Sequence, residues 1–358
     1  MSCAPCVPSP QCVAGVGHWA KMRGPGLWVG SNLALKKLTL QLGGLLDCST
    51  PHAPPPILVD VGAGIHNLGG YELTAQGLHV DDSDALWMLP TFQGRAEVYA
   101  FEPNGAKAAE LRRAVHTRNM PRAFAKHLHV YAMGVGSRVS NSSRLLTHGP
   151  SNVWALSEES HHTPLRLRLD RHGPPTGTVM STSLDAFLAN ALPPETRVLY
   201  AKVDVEGGEF AVLAGMRGLL SAGRIDVLSF EYAVGWEKLF QVTRPLTLQE
   251  RASLAHTLEH FSTALGEMGY DTYLLHAIPV YARTTSKNVT LIPVHGKFWN
   301  ASLEVCADRA RFYRSYKHCW NDLLVIRRCS HCVRRNIFDA LGGELEMASK
   351  FDTSCTCL

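Results

Sequence analysis

Short apolar runs alternate along this chain with stretches that carry apolar residues at helical spacing. The runs "ILVDV", "AEVYAF", "LHVYAMGV", "VLYAKVDV" and "IDVLSFEY" each predict a strand buried on both faces. The stretches 105–119, 182–192, 207–222 and 247–268 predict helices with one apolar side. Strands that alternate with helices in this way predict an α/β fold, a mostly parallel sheet with helices on both faces.

Shifts in composition divide the chain into four parts. Residues 1–50 form a leader, irregular or with a targeting role, and residues 51–56 form a Pro-rich linker. Residues 57–280 carry the predicted sheet, and within them the polar stretch 136–182 predicts an inserted hairpin. Residues 281–358 form a Cys-rich C-terminal extension, which we expect to complete part of the sheet.

The residues that follow each predicted strand are the candidate site, because parallel sheets bind ligands beyond the carboxyl ends of their strands. These residues are acidic, small or apolar: Asp60, Gly62, Ala63 and Gly64 after the first strand, Glu102 after the second, Ala132 and Met133 after the third, Asp204, Glu206 and Glu209 after the fourth, and Glu231 after the fifth. In this order they predict a site for a nucleotide or a nucleoside.

Three of these strand ends match the parts of a nucleoside. Gly62 and Gly64 lack a β-carbon, so their backbone can approach a ligand closely. Glu102 is suited to accept hydrogen bonds from a ribose diol. Ala132 and Met133 are small and apolar enough to flank a flat ring.

The charge of the predicted site decides between cofactors. Asp60, Asp204 and Glu206 would fill the crevice with negative charge. Two like charges ~4 Å apart repel by about 4 kcal/mol at an effective dielectric of ~20. This charge disfavours the diphosphate of NAD, and the third glycine of a dinucleotide-binding loop is missing. The negative charge of the site instead favours S-adenosyl-L-methionine (SAM), which carries a positively charged sulfonium and an ammonium. A methyltransferase that uses SAM is therefore preferred, and an NAD-dependent oxidoreductase is the weaker alternative.

Composition narrows the function further. The formal net charge of +4 is mild, so a nucleic-acid partner is not expected. No run of about 18 apolar residues predicts a transmembrane helix. The ten cysteines lie outside 49–305, which excludes a thiol nucleophile from the central region, and no metal is expected there. The C-terminal motifs Cys329-x-x-Cys332 and Cys355-x-Cys357 can form disulfides, hold a structural zinc or stay free.

The sequence leaves the compartment open. The first 46 residues contain no Asp or Glu, which is weakly typical of organellar import. Glycosylation sequons at Asn141, Asn288 and Asn300, together with the C-terminal cysteines, would suit an oxidising, glycosylating compartment. A cytoplasmic or organellar location is slightly favoured over the secretory pathway.

The chain resembles the FkbM-type methyltransferases over residues 57–232. The resemblance rests on "LVDVGAGIHN", "VYAFEPN", "TSLDAF", "YAKVDVEGGEFAVLAGMRGLL" and "IDVLSFEY", in that order. It implies a Rossmann-like class I methyltransferase sandwich over 57–280 that uses SAM and methylates a hydroxyl of a sugar, glycan or other small molecule. The chain departs from the family pattern at 66–95, where an insertion follows the glycine loop, and after 235.

The resemblance also implies a role for each candidate residue. Asp60, Gly62 and Gly64 would line the cofactor, and Glu102 would hold the ribose. From their places at the strand ends we add Ala63, Met133 and Asp204 to the cofactor-binding residues. Asp204 and Glu206 would face the reacting centre, as a base or to orient the acceptor hydroxyl.

Less specific interpretations stand beside these. Glu206 and Glu209 can simply favour the start of the helix near residue 207, since acidic side chains stabilise helix N-termini. Lys202 either pairs with one of the acids, which would keep that acid ionised, or points to solvent. A chain that keeps the pocket without turnover would be a catalytically silent SAM-binding protein. The acceptor and the oligomeric state stay open.

Overall fold

A computed structural model describes most of the central region and parts of both flanks. The described residues are 48, 54–64, 83–117, 122–148, 153–157, 177–205, 208–233, 257–277, 289–294, 296 and 320–340. They fall into two compact units, a larger one up to residue 231 and a smaller one from residue 232 onward.

Strands and helices alternate along much of the described chain. In chain order they are β1 (Ile57–Val61), α1 (Asp84–Thr91), β2 (Glu97–Phe101), α2 (Gly105–Thr117), α3 (Arg122–Ala125), β3 (Leu128–Tyr131), β4 (Gly134–Val135), β5 (Ser140–His148), β6 (Val153–Ser157), β7 (Gly177–Thr182), α4 (Leu184–Ala191), β8 (Val198–Val203), α5 (Glu209–Ala214), α6 (Arg217–Ser221), β9 (Ile225–Ala233), α7 (Thr257–Glu267), β10 (Tyr270–Ala277), β11 (Val289–Pro293), β12 (Trp320–Arg327) and α8 (His331–Ala340).

Five strands of the larger unit form a parallel sheet in the order β9-β8-β1-β2-β3. Every residue of β1 and β8 is buried, as the continuously apolar runs predicted. The chain passes from β1 to β2 and β3 on one side and returns to β8 on the other. The switch of direction therefore falls between β1 and β8, where open α/β sheets bind ligands. The predicted Rossmann-like fold with a mostly parallel sheet is confirmed.

The run "LHVYAMGV" is divided between two sheets rather than forming one strand. β3 ends at Tyr131, and β4 joins a second sheet in the order β4-β7-β5-β6. Within this sheet β5 and β6 are antiparallel, with Arg144 opposite Ser157, so the predicted hairpin is present. The piece "LRLRL", on which that prediction partly rested, lies outside the described residues.

Helix α4 begins where the sequence predicts and links two parts of the larger unit. The side chain of Ser183 accepts a hydrogen bond from Ala186 N at 3.2 Å, an N-cap. Phe187 of the same helix lies edge-on to Phe101 and Tyr131, with ring centroids 4.9 and 4.8 Å away. Edge-to-face contacts of this kind fix α4 against the face of β2 and β3.

The single helix predicted over 207–222 is wrong in one respect: α5 and α6 are separate short helices. The break falls at Gly215, where a β-carbon would lie 1.9 Å from the backbone oxygen of Gly136. Gly215 O instead accepts the backbone N–H of Asp185. The Asp185 carboxylate then accepts Gly218 N and Leu219 N, at 2.8 and 2.9 Å, at the start of α6.

The smaller unit contains antiparallel strands in the order β11-β10-β12 and the helices α7 and α8. Buried Asp271 pairs with Arg328 at 2.8 Å and Arg334 at 2.5 Å, which ties β10 to α8. Of the helix predicted over 247–268, the described part is α7. The strands β11 and β12 lie in the predicted C-terminal extension, and both pair with β10. The division into a domain over 57–280 and an extension over 281–358 stays a prediction.

Candidate functional site

A tight turn after β1 brings three strand ends together. The backbone N–H groups of Gly62 and Ala63 both donate to Phe101 O of β2, at 2.9 and 3.0 Å. On the other side, Asp204 N donates to Val61 O at 2.9 Å. Gly62 has a φ of 87° and leaves no room for a side chain, since a β-carbon would lie 1.7 Å from Asp204 O. Glycine at this position is therefore a requirement of the turn.

We expect Gly62→Ala to destabilise the protein. The positive φ alone costs a non-glycine residue roughly 1–2 kcal/mol, and the new β-carbon would also displace the backbone after β8. The matched control is Gly105→Ala at the start of α2, where a β-carbon would meet no heavy atom within 4 Å. Urea unfolding of both variants measures the difference; equal stability of the two would contradict this account of the turn.

Asp60, at the end of β1, has a fully buried carboxyl group, and only one of its two oxygens accepts hydrogen bonds from described residues. Oδ2 accepts Ala85 N at 2.7 Å and the Ser83 hydroxyl at 3.4 Å, at the N-terminus of α1. Oδ1 has no hydrogen-bond partner among the residues that the structure describes. Burial raises the pKa of Asp60 to about 7, and the nearby Asp84 carboxylate adds to the shift while Lys202 opposes it.

Lys202 is the cation of the site. The register of β1 and β8 places it directly beside Asp60, and its ammonium lies 2.5 Å from Asp84 Oδ2 and 3.0 Å from Asp204 Oδ2. Burial works against the charged form, but the carboxylates of Asp204, Asp84 and Asp60 outweigh it and raise the pKa of Lys202 well above its usual range. Of the two alternatives for this residue, pairing is the one found; Lys202 is buried and does not point to solvent.

Glu102 follows β2 as predicted and faces the glycine turn. Its Oε1 accepts Asn104 N at 2.8 Å, and its Oε2 lies 2.6 Å from where a β-carbon on Gly64 would be. Burial raises the pKa of Glu102, against the opposing effects of the Asn104 N–H and of Lys107. The backbone at Gly64 and this carboxylate therefore line one narrow space that any side chain at position 64 would fill.

The other predicted site residues have different surroundings. Glu209 is buried and accepts Val205 N at 3.1 Å in the first turn of α5, which supports its helix-starting role. Met133 lines a cavity of about 420 Å³ whose lining contains none of the acidic residues, and Ala132 beside it is exposed. Glu206 lies outside the described residues, as does the side chain of Glu231.

Sequence reasoning missed Ser83, Asp84 and Ala85, which the insertion at 66–95 contributes to the site. Asp84 pairs with Lys202, and Ala85 N binds Asp60. A local signal was present in "DDSDALWML", where Ser and Asp precede an apolar run, as they do at many helix starts. That signal locates the start of α1, but only the fold shows that this start reaches the end of β1.

The cluster of Asp60, Asp84, Asp204 and Lys202 sets the chemistry of the strand ends. The carboxylates of Asp84 and Asp204 and the partly ionised Asp60 stand against one ammonium, so the cluster keeps a net negative charge that attracts a positively charged ligand. No group of three or more His, Cys, Asp or Glu side chains in the described ranges is arranged to hold a metal ion. In the same ranges no helix is long and apolar enough to cross a membrane.

A family model described as the methyltransferase FkbM domain matches residues 60–271, more than half of the chain. The chain belongs to the FkbM methyltransferase family. The match begins at Asp60, the carboxyl group at the end of β1, and continues through the turn, Glu102 and the Lys202–Asp204 strand end. The resemblance expected from the sequence motifs is confirmed.

This member of the FkbM methyltransferase family is also similar in fold to solved structures, at low identity. A methyltransferase FkbM from Methylobacillus flagellatus is 13% identical with a TM-score of 0.35; the match covers 80% of this chain and 47% of that chain, so this chain spans about half its length. A precorrin-6y C5,15-methyltransferase from Geobacter metallireducens is 10% identical, with a TM-score of 0.32 and coverages of 82% and 86%. The plantazolicin methyltransferase BpumL, in complex with SAH, is 9% identical, with a TM-score of 0.31 and coverages of 89% and 91%. No curated protein matches the chain.

Proposed function

We propose that this methyltransferase uses SAM to methylate a hydroxyl group of a sugar, a glycan or another small molecule. The observation that carries the proposal is Asp60, a buried carboxyl group with an oxygen that no described residue binds, beside a turn that only glycine can form. A cationic group of a ligand would supply the missing partner. A diphosphate would add negative charge to the same cluster of carboxylates.

The residues present fit SAM at one further point. Glycine at position 64 lets the Glu102 carboxylate lie against the turn, because a β-carbon there would come within 2.6 Å of Glu102 Oε2. Held beside the glycine turn, this buried carboxylate is suited to accept hydrogen bonds from the hydroxyls of a ribose. We assign Asp60, Gly62, Ala63, Gly64, Glu102 and Asp204 to cofactor binding. For Met133 the same role stays a prediction from the sequence, since it lines a cavity that contains none of these residues. SAM, when bound, supplies an electrophilic methyl group on a positively charged sulfur.

The chain's own contribution is orientation and removal of a proton. Asp204 would accept the proton of the acceptor hydroxyl, and Glu206 is a second candidate for this role. Lys202 holds Asp204 Oδ2 at 3.0 Å and so orients the carboxylate. Asp84 shares the ammonium, and the start of α1 is thereby tied to the strand end that bears the proposed base.

The experiment that tests this function is calorimetry with SAM and with SAH, its demethylated product, followed by a screen of hydroxyl-bearing acceptors for methylated product. We expect both cofactor forms to bind and NAD not to bind. Binding of neither form would overturn the proposal. SAM binding without methyl transfer to any acceptor would instead support the catalytically silent binding protein, and binding of NAD would revive the oxidoreductase.

The pKa of Asp60 also predicts how stability depends on pH without ligand. Its folded-state pKa of about 7 lies above the ordinary value of 3.8, so the folded protein binds this proton more tightly than the unfolded chain. The contribution of Asp60 to stability is therefore present below pH 4 and is lost as the pH rises towards 7. Asp60→Asn cannot lose a proton, so we expect it to be more stable than the wild type at pH 8 by a larger margin than at pH 5.

Urea unfolding of the wild type and Asp60→Asn at the two pH values measures this difference. The same variant should bind SAM more weakly, since it loses the negative charge that a bound cation needs. A margin that does not grow between pH 5 and pH 8 would show that Asp60 does not titrate in this range.

A further inference from the structure

A glycosylation sequon lies on the surface of the second sheet. The sequence "NSS" begins at Asn141 in β5, and Asn141 is exposed. Just before it, Ser140 pairs with Ser181 of β7. Two positions after it, Ser143 pairs with Val179, so β5 carries one residue more than β7 across this step. Such a bulge interrupts the ladder locally, and the Asn141 amide is therefore presented at an irregular, solvent-facing point of the strand.

Three cysteines give a second, independent observation. Cys48, Cys329 and Cys332 are disulfide-bonded. Of the alternatives that the sequence left open for Cys329 and Cys332, a disulfide is thus the one found, rather than a zinc site or free thiols. Disulfides form and persist in oxidising compartments such as the lumen of the endoplasmic reticulum. The same compartment attaches N-linked glycans to exposed sequons.

The surroundings of Asn141 supply a reason for a modification there. Val139 and Met180 are 62% and 55% exposed, and they are the exposed large hydrophobic side chains of the described residues. Both line the cavity of about 420 Å³ that Asn141 also lines, together with Phe187 and Tyr131. The two most exposed apolar side chains therefore lie beside the sequon. Neighbouring apolar side chains at a surface favour association unless something covers them.

We propose that Asn141 carries an N-linked glycan, which covers the apolar mouth formed by Val139 and Met180. The donor is an oligosaccharide linked to a lipid diphosphate. The Asn141 amide nitrogen forms a bond to the anomeric carbon of this donor as the bond from that carbon to the diphosphate oxygen breaks. The amide loses one proton, and the lipid diphosphate leaves with the bonding electrons; no oxidation or reduction takes place.

The site is tested on the full chain expressed in a eukaryotic host. Treatment with a peptide N-glycosidase in heavy-oxygen water converts each glycosylated Asn to a heavy Asp, which peptide mass spectrometry assigns to a position. We expect the heavy label at Asn141 in the wild type and in Ser142→Ala, which keeps the sequon, and no label at Asn141 in Ser143→Ala, which destroys it. An unlabelled Asn141 in the wild type would overturn the proposal, whatever the state of Asn288 and Asn300.

The covering role is tested by an apolar fluorescent dye. We expect Ser143→Ala, which lacks only this glycan, to bind more dye than Ser142→Ala. Adding Val139→Thr and Met180→Thr to Ser143→Ala should return dye binding to the level of Ser142→Ala. Equal dye binding by the two single variants would show that the glycan, even if attached, does not cover this surface.

Discussion

Replacing Asp204 with Asn is expected to lower kcat by ~10²-fold or more, the usual contribution of a positioned general base. The amide keeps the shape of the side chain, and the backbone N–H of residue 204 still donates to Val61 O. Asn cannot accept the acceptor's proton, however, and its interaction with Lys202 loses the charge that orients the group. Single-turnover assays with saturating SAM and acceptor measure this loss, and calorimetry measures the accompanying change in cofactor affinity.

The controls separate a role in proton transfer from a role in binding. Glu209→Gln changes a buried carboxylate that accepts Val205 N, so we expect a smaller loss of activity, arising from the start of α5. Glu206→Gln shows whether the neighbouring acid shares the proton. If Asp204→Asn and Glu206→Gln both turned over at the wild-type rate, no carboxylate at this strand end would be the base. A loss confined to SAM affinity would make Asp204 a cofactor ligand only.

The positions of Asp60, Glu102 and Asp204 at strand ends could be predicted, because local patterns suffice to locate the ends of buried strands. Each strand is a short apolar run, and in a parallel sheet the carboxyl ends lie at the same edge. The glycine at 62 was predictable for the same reason, because a strand end that approaches a ligand favours residues without a β-carbon. The close contact of Gly62 with Asp204 O was not predictable, because it joins β1 to a strand far along the chain.

The surroundings of these residues depend on long-range geometry and were less predictable. The register of β1 and β8 places Lys202 beside Asp60, and the start of α1 lies against the same strand ends. The Lys202 ammonium is therefore 2.5 Å from Asp84 Oδ2, a contact between residues far apart in the sequence. The break at Gly215 is set by the backbone of Gly136, which the helical pattern of 207–222 does not contain. Periodicity reports which side of an element is apolar, and not which backbone atom of another segment lies against it.

Lys202→Met is expected to give the largest loss of stability, because it leaves the acidic side chains of Asp60, Asp84 and Asp204 without their shared cation. Removing one partner of a buried ion pair typically costs ~3–5 kcal/mol, and Lys202 pairs with both Asp84 and Asp204. The ammonium also lowers the pKa of Asp60, so its loss pushes that pKa up and makes the folded state bind a proton more tightly. The loss of stability should therefore be greater at pH 8 than at pH 6.

Urea unfolding at both pH values measures this, with Lys126→Met as the matched control. Lys126 is exposed, and substitutions at such surface positions usually change stability by less than about 0.5 kcal/mol.

Adding Asp84→Asn to Lys202→Met should restore part of the loss of stability, since it removes one of the uncompensated carboxylates while keeping its shape. If Lys202→Met were no less stable than Lys126→Met, the ammonium would not be holding these carboxylates together, and Asp204 would need another group to orient it. A partial rescue by Asp84→Asn with no return of activity would separate the two tasks of Lys202: it neutralises the buried charge at the strand ends, and it orients the proposed base.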